Sequence, residues 1–289
     1  MGASTLSAPG AGPLRPLIPV LGMAPGHVVS LTGGGGKTSL LLALAREARS
    51  YWGPRRLLVT TTTRMFVPTC SDFPPLHASA GERLPRVELL LCNTRQQALN
   101  AVEHWAKQPE HEETLPVLAH HIVPSPGDRP KLVGIPPQWI DELARSLPGL
   151  ATVVEADGSA QRPLKAPAGH EPVIPSSTTI VLAVAGMDAM GRPLGPRHVH
   201  RPERVSALTG SAPGQIITPR DMAHVLWHPE GCARGRPVGS RVWPVVNGVD
   251  SPDQLAAARW VARELLDLGA PFVLLTSCLD YPVVVEVCS

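Results

Sequence analysis

The stretch His27-Val-Val-Ser-Leu-Thr-Gly-Gly-Gly-Gly-Lys-Thr-Ser39, followed by Leu40-Leu-Leu-Ala-Leu-Ala-Arg-Glu-Ala48, decides the fold. An apolar run typical of a buried strand leads into four glycines, and Lys37-Thr38 then opens a helix. This order predicts a phosphate-binding loop, because glycines let successive backbone N–H groups converge on an anion and the helix N-terminus adds partial positive charge. A glycine-rich turn that merely precedes a helix is the alternative. The predicted loop residues are Gly33, Gly34, Gly35 and Gly36.

The residues after the glycines complete a predicted nucleotide site. Lys37, expected at a solvent-accessible helix mouth, would neutralise the β- and γ-phosphates, the Thr38 hydroxyl would ligate Mg²⁺, and Ser39 is assigned to the nucleotide with them. The usual pattern is G-x-x-x-x-G-K-[ST], and here Leu31 stands at the first glycine position. The core is closer to that of MinD- and ParA-like ATPases, although Thr32 replaces their extra signature lysine.

The length of the chain suits one large α/β domain or two small ones. The chain has 289 residues, 43% of them hydrophobic, which suffices for a substantial core. We expect an N-terminal extension over residues 1–22, disordered over 1–12, and a single domain over residues 23–289. Residues 14–23 form an apolar lead-in that is expected to pack on the core.

Charge and cysteine content exclude several classes of protein. A net charge of +2, carried by scattered arginines, with only four lysines among 26 basic residues, gives no reason to expect a nucleic-acid partner. Five cysteines without a C-x-x-C pair or metal-ligand spacing indicate the reduced thiols of a cytoplasmic protein. Prolines interrupt residues 1–26, which fits neither a signal peptide nor a membrane helix, so no membrane partner is expected.

Helices alternate with buried strands, which predicts a mostly parallel sheet with helices on both faces. The segment 66–86 is predicted to be a loop. The pairs His120-His121 and His104/His111 lack a carboxylate or cysteine at regular spacing and are not expected to bind metal. Helices are predicted over 37–50, 94–107, 138–146, 218–227 and 253–268, and strands over 27–32, 56–59, 87–91, 117–123, 151–157, 179–185, 242–247, 272–276 and 283–287.

Threonines end the second predicted strand. Thr60–Thr63 follow the apolar run 56–59, at the strand end beside the glycine loop where a metal and a γ-phosphate would lie. Thr62 and Thr63 are therefore assigned to the nucleotide site. The alternative is a structural role, because threonine is a good strand former.

Acidic residues end a later strand, in Ala151-Thr-Val-Val-Glu155-Ala-Asp157. Two carboxylates two residues apart in a strand point to the same side and could hold one Mg²⁺, or divide into metal ligand and water orienter. An exposed acidic turn is the alternative. The following loop brings Lys165 and the pair His170-Glu171 to the same edge of the sheet, with roles left open.

A third loop, Asn247-Gly248-Val249-Asp250, follows a strand late in the chain. Many guanine-specific P-loop proteins place Asn-Lys-x-Asp there, and the carboxylate accepts hydrogen bonds from the ring N–H and amine of guanine. Asn247 and Asp250 are therefore assigned to the base, with GTP somewhat preferred to ATP. The alternative is a plain turn between strand and helix.

Together these motifs resemble the YqeC family, accessory proteins for selenium-dependent molybdenum hydroxylases. The resemblance runs over nearly the whole chain from about residue 14. It is carried by the glycine loop with Lys37-Thr38, Thr60–Thr63-Arg64-Met65, Glu155-Ala-Asp157-Gly158-Ser-Ala, Pro163-Leu-Lys165-Ala-Pro-Ala, His170-Glu-Pro-Val-Ile-Pro175, His200-Arg-Pro and Asn247-Gly-Val-Asp250.

The resemblance implies a three-layer P-loop NTPase-like α/β fold and a cytosolic role in the maturation of a molybdenum or selenium cofactor. A molybdenum hydroxylase or its cofactor precursor is the implied partner. One departure concerns the base: family members often carry Asn-Lys-x-Asp, and Gly248 here lacks the lysine stem that stacks on it.

The leading functional expectation is a Mg²⁺-dependent nucleoside-triphosphate hydrolase. Lys37 and the loop N–H groups would hold phosphates, Thr38 and Asp157 the metal, and Glu155 would orient water or share the metal. Lys165 would contact a phosphate or an anionic second substrate. The alternatives are phosphoryl or nucleotidyl transfer to a small cofactor precursor, and a nucleotide-gated chaperone with incidental turnover.

Overall fold

The structure is a computed structural model that describes residues 14–74, 84–108, 113–127, 129–279, 281 and 283–289. The predicted disorder over residues 1–12, and His111, lie outside these residues. The helices are α1 Leu17–Leu21, α2 Lys37–Trp52, α3 Arg95–Lys107, α4 Pro137–Ser146, α5 Pro202–Thr209, α6 Pro219–Trp227 and α7 Pro252–Asp267.

The strands of the described residues form one large sheet and two small ones. They are β1 Val28–Gly33, β2 Leu57–Thr61, β3 Arg64–Phe66, β4 Arg86–Leu91, β5 Thr114–Ala119, β6 His121–Val123, β7 Lys131–Val133, β8 Ala151–Glu155, β9 Leu164–Lys165, β10 Ile180–Gly186, β11 Val199–His200, β12 Arg241–Asn247, β13 Val273–Thr276 and β14 Val284–Cys288.

The large sheet has the order β14-β13-β12-β10-β1-β8-β2-β5-β4. Its pairs are parallel except β13 with β14, which is antiparallel. β1 lies at the centre, between β8 and β10, so the glycine loop, the acidic strand end and the threonines after β2 open at one edge. The mostly parallel α/β sheet predicted from the sequence is confirmed.

Side-chain alternation along the central strands places helices on both faces. In β10, Ile180 and Leu182 pack in the core beneath α1 and α2, whereas Val181 and Ala183 pack in the core beneath α5, α6 and α7. A third cluster joins α3 and α4 to the same face as α5–α7, next to β2, β5 and β8. The three-layer arrangement is therefore confirmed.

The lead-in before β1 is part of this core. Leu17 and Leu21 of α1 are fully buried. The Glu47 carboxylate of α2 accepts hydrogen bonds of 2.8 Å from the backbone N–H groups of Leu17 and Ile18, which fixes the start of α1. None of the helices in the described ranges is long and apolar enough to cross a membrane.

Two short-strand regions differ from the sequence prediction. The strand predicted over 117–123 is two strands, β5 and β6, separated at His120, whose N–H donates to the Val133 carbonyl. β5 joins the large sheet, whereas β6 joins β7 and β3 in a small antiparallel sheet. β3 and β7 have three residues each, which is too short for a period-two pattern to be recognised.

Candidate functional site

The glycine loop (Gly33–Gly36) connects β1 directly to α2. Gly33, Gly35 and Gly36 have φ angles of 92°, 73° and 100°, a region that L side chains rarely adopt. The N–H groups of Gly33, Gly34 and Gly35 donate to Asp157, the Val184 carbonyl and the Arg162 carbonyl. The loop is thus held in shape by protein acceptors, and α2 begins at Lys37, preceded by the N-cap residue Gly36, which offers no side-chain hydrogen bond.

Asn247, at the end of β12, supports the glycine loop from below. Its Nδ2 donates 3.0 Å to the Gly35 carbonyl, and its Oδ1 accepts 2.9 Å from the Thr276 hydroxyl. A Cβ on Gly36 would stand 2.1 Å from that Nδ2, so the loop and the amide fit only because residue 36 is glycine. The structure therefore places Asn247 against the loop backbone.

Lys37 points back beneath the loop. Its Nζ donates 2.7 Å to the Gly33 carbonyl and lies 3.3 Å from Asp157 Oδ1. The side chain is only 4% exposed, so the expectation of a solvent-accessible position is wrong. Burial alone would lower the pKa of Lys37, but Asp157 and Glu155 outweigh it and raise the pKa, so the amine stays charged.

The two predicted carboxylates face different partners. β8 ends at Glu155, so Asp157 lies in the following loop and strand alternation does not relate the two. Glu155 accepts a 2.8 Å hydrogen bond from the Thr38 hydroxyl, while Asp157 accepts 2.9 Å from the Gly33 N–H. Burial raises the pKa of Glu155, although Lys37 and Thr38 favour its charged form.

Asp157 continues a chain of alternating charges that starts at Lys37 and leads away from the loop. Its Oδ2 lies 3.0 Å from the Nζ of Lys165, which is fully buried, and that Nζ lies 2.7 Å from Glu171 Oε2. Arg201 donates 2.6 Å to the same Glu171 oxygen. Burial would raise the pKa of Glu171, but its hydrogen bonds to Arg201 and Lys165 prevail and lower it to about 2. We call Lys37–Asp157–Lys165–Glu171–Arg201 the ion chain.

The threonines after β2 have separate partners. The Thr61 hydroxyl donates 2.8 Å to the Glu155 carbonyl, and the Thr62 hydroxyl donates 2.7 Å to the Val173 carbonyl. The buried Thr63 hydroxyl oxygen has no hydrogen-bond partner among the described residues, and Thr63 lines the cavity described next. Of the two assigned threonines, Thr63 is the one whose hydroxyl has no hydrogen-bond partner among the described residues.

A cavity of about 900 Å³ opens above the glycine loop. Its near end is formed by Gly35–Ser39 and Glu155, and its side by the loop after Asp157 together with Glu171 and His200. Its far wall is the small antiparallel sheet, with β3 and Lys131 of β7. Burial and the neighbouring Arg201 and Lys165 lower the pKa of His200, which favours its neutral form.

Comparison with known proteins now adds the family. Residues 29–203 match the family described as YqeC protein. The chain is also 34% identical over 219 residues to the uncharacterized protein YqeC of Escherichia coli (strain K12), with 75% of this chain and 74% of that protein covered. The chain belongs to the YqeC family. The resemblance drawn from the motifs is thereby confirmed.

The segment matched to the YqeC family contains most of the site. The glycine loop, Glu155, the whole ion chain and both strands of the far wall fall between residues 29 and 203. Asn247 and Asp250 lie beyond it. Asp250 is exposed, accepts 2.6 Å from the Ser277 hydroxyl, and does not line the cavity. Base recognition by these two residues stays a prediction.

Several residues of this YqeC family site received no role from the sequence. Arg201 closes the ion chain with a φ of 64°, which no sequence pattern reveals. Arg64, Phe66 and Lys131 form the far wall. One signal was available in the composition: only four lysines occur in an arginine-rich chain, and Lys37, Lys131 and Lys165 all lie at this site. The exposed His170 is not among the cavity residues.

Proposed function

We propose that this YqeC family protein binds a nucleoside triphosphate with Mg²⁺ at the glycine loop and hydrolyses it, as an accessory factor in the maturation of a selenium- and molybdenum-dependent hydroxylase. The strongest support is Lys37, a buried charged lysine at the first residue of α2, directly after four glycines of which three have positive φ. An uncapped helix N-terminus beside a fixed cation favours a multiply charged anion such as a triphosphate.

In this proposal the Lys37 amine gives up its hydrogen bond to the Gly33 carbonyl and donates to a phosphate oxygen when the nucleotide binds. A phosphate at the start of α2 would accept hydrogen bonds from the N–H groups of the first helical turn and from Ser39. Asp157 is assigned a positioning role, because the Gly33 N–H and the amines of Lys37 and Lys165 occupy its two oxygens. It would keep Lys37 charged and the loop in place.

Thr38 and Glu155 fit a Mg²⁺ site. Their oxygens lie 2.8 Å apart at the near end of the cavity and are the hard ligands that Mg²⁺ prefers. Across the described ranges, no group of three or more His, Cys, Asp or Glu residues could hold a metal, which suits an ion that takes its other ligands from phosphate and water. When bound, Mg²⁺ would neutralise charge that develops on the phosphates. The metal role assigned to Asp157 thus passes to Glu155 in the proposal.

Thr63 is proposed to contact the reacting end of the nucleotide. Its hydroxyl is buried beside the cavity with no hydrogen-bond partner in the described part of the chain, and Thr63 follows β2, the strand next to β8. There it would hydrogen-bond the γ-phosphate or the attacking water. Asp250, on the opposite side of the glycine loop, is retained as the candidate for guanine recognition.

Group transfer is a second candidate, because the cavity continues past Glu155 as far as β3 and β7. Hydrolysis needs room for one water, whereas this space would admit a small acceptor molecule. In that case the acceptor, and not water, would attack the γ-phosphorus, and the nucleoside diphosphate would leave.

The test measures binding of Mg²⁺ with GTP and ATP analogues to Lys37→Met by calorimetry, together with phosphate release. Methionine keeps the buried stem and removes the charge, so we expect the fold to persist, as measured by thermal melting, and turnover to fall by about 10²-fold or more. Lys107→Met is the matched control, because Lys107 on α3 is 75% exposed and distant from the loop. Unchanged triphosphate affinity in Lys37→Met would refute the proposal.

A further inference from the structure

The cavity extends to one side of the glycine loop. The Thr38 hydroxyl points to Glu155 at the end of β8, and Thr63 follows β2, the next strand outward. Asn247 ends β12, which lies on the other side of β1, beyond β10. With the base on the β12 side, as proposed above, a triphosphate would direct its terminal phosphate toward β8 and β2. The part of the cavity beyond Glu155 would then remain for a second molecule.

The far wall of that space is cationic because the pairing of β3 with β7 brings Arg64 and Lys131 to the same face of the small sheet. In the antiparallel pair of β3 and β7, Phe66 stands opposite Lys131, and Met65 opposite Leu132. The side chains of Met65 and Leu132 are buried in one core, and alternation along the strands puts Arg64, Phe66 and Lys131 on the opposite face of the small sheet. These three residues line the cavity together with Met65. Two of these three side chains carry positive charge.

Phe66 organises the cations of this wall. The Lys131 Nζ lies 4.6 Å and the Arg129 guanidinium carbon 5.3 Å from its ring centroid, within the range of cation–π attraction. Arg129 is further fixed by Asp72, to whose two oxygens it donates at 2.9 and 2.7 Å. Arg129 is thereby paired with a carboxylate, whereas Lys131 lines the cavity without an ion-pair partner among the described residues.

Among the residues that the structure describes, Arg64 and Lys131 have no carboxylate within ion-pair distance. Neither forms an ion pair with any residue that the structure describes, although carboxylates partner Lys37, Lys165, Arg129 and Arg201 around the same cavity. Two cations on one face without counter-ions form a natural site for an anion. Lysine is also rare in this chain, and Lys131 is one of the three lysines at the site.

We propose that Arg64 and Lys131 form a second anion site, which holds a small molecule bearing a phosphate or carboxylate group while the nucleotide occupies the glycine loop. The proposal deepens the proposed function, and rests on it only for the occupant of the near end. The second molecule would lie between the far wall and the terminal phosphate, beside the mainly neutral imidazole of His200, where an acceptor or an effector of turnover would lie.

The test titrates inorganic phosphate and, separately, malonate into the full-length protein saturated with Mg²⁺ and a non-hydrolysable triphosphate, at constant ionic strength. We compare wild type with Arg64→Gln/Lys131→Met, in which methionine preserves the stem over Phe66. We expect one of the two anions to bind the wild type, and the double variant to bind it about tenfold more weakly or worse. Phosphate would identify a phosphorylated ligand and malonate a carboxylate.

Two control variants make the result decisive. Lys131→Arg should retain anion binding, and Lys107→Met should behave as wild type. Equal binding by the wild type and the double variant, or an equal loss in Lys107→Met, would overturn the second site. Anion binding that occurs without nucleotide but disappears at saturating nucleotide would overturn it too, because the nucleotide would then fill the whole cavity.

Failure of the proposed function gives a different pattern. Lys37→Met would then bind triphosphate as the wild type does, or neither protein would bind it. The anion titration of the nucleotide-free protein would still distinguish Arg64→Gln/Lys131→Met from wild type if the second site exists. The two proposals can therefore fail separately.

Discussion

A methyl group on Gly35 would lie 2.3 Å from the backbone nitrogen of Gly186. The glycine loop thus touches the end of β10 backbone to backbone. Neither Gly35 nor Gly186 can move away to make room for a side chain. β10 is a central strand of the large sheet, and the backbone of Gly35 is also hydrogen-bonded to Asn247 and to the Arg162 carbonyl. The loop is glycine-rich for packing as well as for its positive φ angles.

This contact predicts the cost of Gly35→Ala. Gly191 is a matched control, since its φ of 72° equals that of Gly35 within a degree and nothing lies within 4 Å of a Cβ placed there. Gly191→Ala should cost about 1–2 kcal/mol for the left-handed conformation alone. Gly35→Ala should cost about 1–3 kcal/mol more, from the clash. Denaturant unfolding of both variants measures the difference, and equal costs would contradict the close packing.

The different partners of Glu155 and Asp157 predict different consequences for their amide variants. Asp157→Asn removes a buried charge that lies between two lysines, so it should lower the free energy of unfolding by about 3–5 kcal/mol. Glu155→Gln relieves the burial of a carboxylate and should change stability by no more than about 1 kcal/mol.

Nucleotide binding should show the opposite order. Glu155→Gln is expected to weaken Mg²⁺-dependent triphosphate binding and turnover, while its affinity without Mg²⁺ stays close to that of the wild type. Calorimetry with and without the ion measures both values. If Asp157→Asn retained full stability and lost Mg²⁺ dependence, the metal would belong to Asp157, as first expected from the sequence.

The low pKa of Glu171 predicts a pH dependence of stability. Its pKa is lowered from 4.5 to about 2, so the stability it contributes is complete above about pH 4.5 and is lost as the pH falls toward 2. Glu171→Gln should lower the free energy of unfolding by about 1–2 kcal/mol at pH 7, after allowance for solvent screening, and should flatten its slope between pH 4.5 and 2.

The control for this prediction is Glu103→Gln. Glu103 pairs with Lys107 at 3.7 Å on the surface of α3, where an ion pair contributes little. It should leave both the stability at pH 7 and the slope nearly unchanged. Urea unfolding at a series of pH values measures the free energy of unfolding of all three proteins. If this free energy fell with pH in parallel for wild type and Glu171→Gln, Glu171 would not contribute to the pH dependence of stability.

Base preference provides a fourth prediction. An aspartate that reads guanine accepts from the ring N–H and the exocyclic amine, and adenine would leave it unpaired. Asp250→Asn should therefore weaken GTP binding and improve XTP binding, because the amide pairs with the carbonyl of xanthine. Asp253→Asn, in the first turn of α7, is the control. Equal affinity of the wild type for ATP and GTP, unchanged in Asp250→Asn, would exclude guanine recognition.

The large sheet could be predicted from the sequence because its central strands leave a clear signal. Strands such as β1, β8 and β10 are apolar runs buried on both faces, and prolines, glycines or polar residues mark their ends. The glycine loop with Lys37 and Thr38 could also be located from the sequence, because the strand, the glycines and the start of the helix are consecutive in the chain.

The rest of the site is assembled by contacts that the order of residues does not reveal. Lys165 and Arg201 meet at Glu171 because the two-residue strands β9 and β11 pair, and such short strands have no recognisable period. The far wall depends on the register of β3 with β7. The direction of a side chain that follows the end of a strand is equally difficult to predict. The sequence therefore did not show that Asp157 faces the lysines and not Thr38.

The central position of β1 predicts that the site forms late in folding. Val28 pairs with Thr152 and Val29 with Ile180, and Asn247 reaches the glycine loop from still further along the chain. These long loops must close before the strand pairings can stabilise the sheet. We therefore expect the glycine loop to adopt its binding conformation only after the neighbouring strands have paired. We therefore expect a ligand of the loop to stabilise only the final stages of assembly, so that its binding during refolding would report that the sheet is complete.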